Sequence, residues 1–257
     1  MRIFYLISFI ILFACMGCQW HLKSTDADHV GQSGAIQRYD RIESLYLTTG
    51  DIAALQQMNT TYPMETRMLI EDVLQLGQVN DADINTKFLY FFQDSTLQQM
   101  LIDVEAQYAD IEDVNQELSE AFRHLQQVLP DMEIPNVYTQ IGSFDQSIIV
   151  GHQSLGISLD KYLGADYPFY KDHYTEQQRE MMVREMIVPD CLSFYILSRY
   201  PAPTDNPQER FRHMGDIQWV VNHLLGRQVF DNEHVAATEQ YMMEHPSTTL
   251  LQLLQRK

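Results

Sequence analysis

The sequence predicts a helix-dominated α+β fold, with N-terminal helices, a small antiparallel sheet near the middle and C-terminal helices. Three observations predict it. Apolar residues recur at helical spacing from Ala35 to Gln127; a stretch rich in β-branched residues, glycine and aromatics follows Pro130; helical spacing then resumes near Thr175.

The chain opens "MRIFYLISFIILFACMGCQW", in which Arg2 precedes an apolar run from Ile3 to Ala14. That run is short for a membrane span and has the layout of a secretory signal. Gly17-Cys18 fits the last two positions of a bacterial lipobox. Cys15 and Met16 depart from the usual leucine and alanine there, which leaves a cut elsewhere or a retained anchor as the alternative. The organisation expected is a lipoprotein signal peptide over 1–17, a flexible tether over 18–35 and a single globular domain over 36–257. Cys18 would be the mature N-terminus and carry acyl chains, palmitate among them, because several chains together anchor stably.

Within the body, "AIQRYDRIESLYL" sets Ile36, Tyr39, Ile42 and Leu45 at three-residue steps, the spacing of one helix face. Helix starts are expected at Thr49-Gly50-Asp51, Asn80-Asp81, Asp94-Ser95 and Asp110, where a side-chain oxygen can accept a first-turn N–H. Leu118, Phe122, Leu125 and Val128 make the stripe of the last N-terminal helix, which carries His124 as a structural residue. Strands are expected near 136–142, 146–151 and 155–159, joined by tight turns at Ser143–Gln146 and His152–Ser154. After a loop broken at Tyr167-Pro168, helices are expected over 175–199, 207–228, 231–244 and 247–255. Pro207 suits a first helical turn, Gly226 can end or bend a helix, and Pro189 should kink the first of the four.

A net charge of −18 argues against nucleic acid and anionic lipid surfaces, which need clustered Lys and Arg; it suits solubility or a basic partner. With Cys15 lost and Cys18 lipidated, only Cys191 remains, so no intrachain disulfide or cysteine metal site is expected.

Taken in order, "QRYDRIESLYL", "TYP", "LYFFQD", "IPNVYTQIGSFDQSIIV", "GISLDKYLGADYPFY", "EMIVPDCLSFYILSRYP" and "DIQWVVNHLLGRQVF" resemble the gliding-motility lipoprotein B family of the Bacteroidota over nearly the whole mature chain. The resemblance implies a lipid-anchored envelope protein associated with gliding and the secretion apparatus it shares. It supplies no reaction. The family's architecture is also similar to zinc-peptidase-like (zincin) folds, in which a small sheet leads into a long active-site helix.

A zinc peptidase of that kind needs two histidines four apart on one helix. None lies between His173 and His213, and His213 and His223, ten apart, do not share a face. Cys191 sits among Ile187, Val188, Leu192 and Phe194, an apolar setting that keeps a thiol protonated and inert. No phosphate loop, Ser-His-Asp order or dinucleotide glycine pattern occurs, so neither cofactor nor metal is expected. "DST" at 94–96 resembles an O-glycosylation acceptor of the phylum, although Asp94 as a helix cap explains it equally.

The carboxylates hold more interest. Asp160, Asp166, Glu185 and Asp190 could converge with Tyr167 and Tyr170 on a polar cleft; alternatively Asp160 caps a turn and Asp190 restarts a kinked helix. The expectation is a non-catalytic lipoprotein of the cell envelope, held in the outer membrane through its N-terminal lipid. It would contact an envelope protein through the aromatic segment 166–174 and no nucleic acid. The alternative is a peptidoglycan-, glycan- or peptide-binding protein, or a hydrolase, using those carboxylates.

Overall fold

The computed structural model describes residues 35–256; the expected signal, Cys18 and all but the end of the expected tether lie outside the described residues. Helix α1 (Tyr39–Thr49) ends at Gly50, whose left-handed backbone (φ 69°) lets its N–H reach the Tyr46 carbonyl. Asp51 then starts α2 (Ile52–Thr61) by accepting from the amides of Ala53 and Ala54. Next come α3 (Pro63–Arg67), which runs into a π-helical turn (Met68–Val73), and α4 (Ile84–Phe91). Asp94 caps α5 (Ser95–Gln107), and Asp110 accepts from Glu112 N at the start of α6 (Glu112–Val128). At Asn80-Asp81 the expected cap is a turn instead, where Asp81 accepts from Gln78 N.

The sheet is the main departure from expectation. Its order is β1 (Asn136–Gln140), β3 (Ser154–Ser158), β2 (Ile148–Val150). Only β2 and β3 form an antiparallel hairpin; β1 pairs with β3 in parallel, from Asn136↔Ser154 to Gln140↔Ser158. The antiparallel sheet expected is therefore mixed. The 141–147 connection does hold a tight turn, with Asp145 N donating to the Gly142 carbonyl, but it does not pair β1 with β2. Its Gly142 and Phe144 amides donate to Asp160, just past the end of β3, at 2.7 and 2.6 Å, and β3 lies between β1 and β2. Tyr138 faces Gly156 across the pair, where any Cβ would lie 2.6 Å from the phenol oxygen. Gln37 adds a further parallel bridge on β1.

A 3₁₀ turn (Leu159–Lys161), α7 (Pro168–His173) and α8 (Glu176–Glu180) lead to a second 3₁₀ turn (Arg184–Met186) and α9 (Ile187–Arg199). The expected continuous helix over 175–199 is thus two helices, and Pro189 does not kink one. It occupies the first turn of α9, where its missing N–H has no helical acceptor to reach. Asn206 and Pro207 begin α10 (Pro207–Leu225), which Gly226 ends with φ 64°. Helices α11 (Glu233–Glu244) and α12 (Leu250–Leu254) complete the described chain, the second opened by a capping box between Thr249 and Gln252. Helix α1 lies against β1 and α5, whereas α9 lies against β2, β3, α6 and α10. One continuous core joins these elements, with Cys191, Leu192 and Ile196 of α9 fully buried in it.

Candidate functional site

Parallel pairing points the carboxyl ends of β1 and β3 the same way, the end at which open sheets with parallel strands bind ligands. Beyond that end the core turns polar: Thr139, Gln140, Ser158 and Asp160 are buried there, and α1 contributes Asp40 and Glu43. The inward face of α1 is Tyr39, Asp40, Glu43, Ser44, Tyr46 and Leu47; of the expected stripe, Ile36 and Tyr39 are buried and Ile42 packs half-buried against the core, whereas Leu45 is 46% exposed. Because α1 starts at Tyr39, two acidic residues three apart share the face of the large tyrosines.

Each buried carboxylate has its own set of donors. Arg38 forks onto Asp40 at 2.9 and 2.7 Å and also donates to the Tyr108 carbonyl, while the Thr139 hydroxyl closes on Asp40 from β1. Glu43 accepts from Ile141 N at 2.9 Å through one oxygen, and its other oxygen is buried with no hydrogen-bond partner. Burial pushes the Glu43 carboxyl well above the usual range, the Ile141 amide opposes this, and Asp160 and Asp40 add repulsion. Gln140 donates to Ser158 at 3.3 Å while its carbonyl oxygen has no partner. Burial also raises the Asp160 carboxyl, against the pull of the Gly142 and Phe144 amides. Asp160 holds a loop in which Ser143 and Phe144 both have positive φ, 55° and 66°, so the carboxylate occupies a backbone concavity of the kind that binds anions. Outside this seam a cleft of about 530 Å³ opens between α1 and α5, lined by Arg38, Arg41, Ser44, Thr48, Glu105 and Ile141.

The residues named from sequence receive separate partners. Asp160 lies in the seam, and the Tyr170 hydroxyl donates to its backbone carbonyl while accepting from Leu163 N. Asp190, in the first turn of α9, accepts from the Tyr162 hydroxyl at 2.8 Å, and burial pushes its carboxyl up to about 7. Tyr167 donates to Asp103 at 2.9 Å. Asp166 is at the surface in an ion pair with Lys171 at 2.9 Å, and Glu185 is exposed. In the 166–174 segment Phe169 stacks between Phe144 and His173, with ring centroids 4.0 Å apart on each side, so the aromatic rings root the segment and leave Lys171, Asp172 and His173 outward. Cys191 is fully buried, and burial drives its thiol well above the ordinary value. His124 bonds the Leu224 carbonyl and ties α6 to α10.

Sequence reasoning missed Asp40 and Glu43. The available signal was their i, i+3 spacing alongside Tyr39 and Tyr46 within "YDRIESLYL". Among the described residues no group of three or more His, Cys, Asp or Glu side chains is placed to hold a metal ion, and no helix is long and apolar enough to cross a membrane.

A family model described as gliding motility protein GldB matches residues 23–228. No curated protein and no solved structure matches the chain.

Proposed function

The chain belongs to the gliding motility protein GldB family, and on that premise we propose that it is a lipid-anchored component of the cell envelope that acts through protein contact and without catalysis. The anchor in this reading is Cys18, following Gly17 at the end of the apolar leader. One observation favours a scaffold over an enzyme. Asp160, the carboxylate at the carboxyl end of the parallel strands, is fully buried and gives both oxygens to amides of its own loop. A carboxylate so placed shapes the backbone and meets neither substrate nor water.

The alternative reading, binding or hydrolysis of a glycan or peptide by Asp160, Glu185 and Asp190, draws support from the raised carboxyl of Asp190. Asp190→Asn separates the two. The scaffold reading expects the variant to complement a strain lacking the protein in a surface-spreading assay; loss of complementation by a folded, normally abundant variant overturns it. For the anchor, Cys18→Ala should leave the chain soluble or uncleaved in membrane fractionation. A wild-type mature N-terminus without acyl chains in mass spectrometry would refute lipidation.

A further inference from the structure

Helices α10 and α11 meet at Gly215, where a Cβ would stand 2.5 Å from the Cβ of His234 and 2.8 Å from its carbonyl carbon. One turn further along α10 a groove of about 680 Å³ separates the two helices, lined by Trp219, His223, Arg227, Asp231, Ala236 and Glu239. Its floor is held rigid by Asn222, which accepts from the amides of Val229 and Phe230 and donates to the Phe230 carbonyl. The Trp219 indole lies parallel to the His223 imidazole, 8° between planes and 5.6 Å between centroids, and its N–H donates to Glu239.

The charges of this groove are unequal in how far they are already used. Arg227 is neutralised from outside, by Glu117 of α6 at 2.7 Å. Asp231 makes no hydrogen bond or ion pair with any described residue, and Glu239 bonds only the indole N–H. What the groove offers a ligand is therefore two carboxylates beside a flat aromatic surface, on a chain of net charge −18. A planar cation meets all three demands. A guanidinium stacks on an indole face, its fork matches carboxylate oxygens, and the acidic surface raises its encounter rate.

We propose that the α10/α11 groove binds an arginine side chain of a partner protein, with the guanidinium over Trp219 and between Asp231 and Glu239. This deepens the contact reading above and rests on it only for the partner being a protein. A sugar would use the indole face as well, but it would leave both carboxylate charges uncompensated.

The chain has two tryptophans, Trp20 and Trp219, so full-length protein carrying Trp20→Phe reports on the groove through intrinsic fluorescence. Titration with a blocked glycyl-arginyl-glycine peptide should give a saturable change in Trp219 emission. The citrulline peptide, equal in shape and uncharged, should bind at least about tenfold more weakly. The Asp231→Asn, Glu239→Gln pair should lose affinity by a similar factor. The charge-matched pair Glu176→Gln, Glu180→Gln, on exposed α8, should stay within about threefold of the parent. Equal losses in the two pairs, equal binding of the citrulline peptide, or no saturable change would each overturn the proposal. So would a saturable change with an N-acetylglucosamine oligomer in place of the peptide. These outcomes leave the scaffold reading standing, because that reading fails only if a folded Asp190→Asn variant loses complementation.

Discussion

The carboxylates at the end of β1 and β3 and those of the α10/α11 groove are chemically alike and do opposite work. Asp40 and Asp160 are enclosed, and every donor they meet belongs to the chain: an arginine fork, a threonine hydroxyl and two loop amides. Asp231 and Glu239 face solvent with capacity left over. A buried carboxylate must find partners during folding, since its desolvation otherwise costs several kcal/mol, whereas an exposed one can wait for a ligand. Placement and prior commitment, not residue type, separate an acid that builds the fold from one able to recognise a partner.

The sharpest way to break this contrast is Asp160→Ala. It strands the Gly142 and Phe144 amides in a buried loop already at positive φ, and should cost about 4 kcal/mol in denaturant unfolding. A loss below about 1 kcal/mol would mean that the seam does not hold the fold.

The dependence of stability on pH should come next. Asp190 has its folded value raised to about 7, above the ordinary range of an unfolded aspartate. Such a group contributes stability that is fully present below the unfolded value and is lost as pH rises through the folded one. Thermal melts should therefore fall between about pH 5 and pH 8, by on the order of 2 kcal/mol. Glu43, raised in the same direction by burial, adds to that slope. Asp190→Asn should flatten the curve and raise stability at the alkaline end. An unchanged slope would put Asp190 in a wetter setting than its bond to Tyr162 implies.

Gly215→Ala tests the scaffold beneath the groove. The added methyl meets the His234 backbone, so α11 must shift, and a loss of about 2 kcal/mol is expected in chemical denaturation. The smallest effect belongs to the groove itself. Asp231→Asn should change stability by no more than about 0.5 kcal/mol, because it breaks no internal bond; a loss like that of Asp160→Ala would erase the distinction between the two regions.

Parts of this were readable from the chain alone. Asp160 is among the carboxylates that the sequence singles out, and Cys191 reads correctly as core because its neighbours are apolar. Asp190 was noticed beside Pro189, yet its partner Tyr162 is 28 residues away and no local pattern announces that bond. The inward face of α1 is legible only in part, for a related reason. Counting apolar residues in "YDRIESLYL" selects Ile42 and Leu45, whereas Arg38, Thr139 and Ile141 N supply the bonds that make Asp40 and Glu43 tolerable inside. The groove was not foreseen because its walls come from two helices and the loop between them.

Sequence by itself determined the helix-rich class, the helix starts at Asp51, Asp94 and Asn206-Pro207, the stop at Gly226, and the burial of Cys191. These are local matters, decided within one or two turns by caps, by backbone freedom and by the polarity of near neighbours. Only the tertiary structure decided that β1 runs parallel to β3, that Pro189 opens a helix instead of bending one, and that Glu43 is buried while Asp231 is exposed. Strand pairing and the burial of charge are settled by groups far apart in the chain, and such groups meet only when the whole core closes.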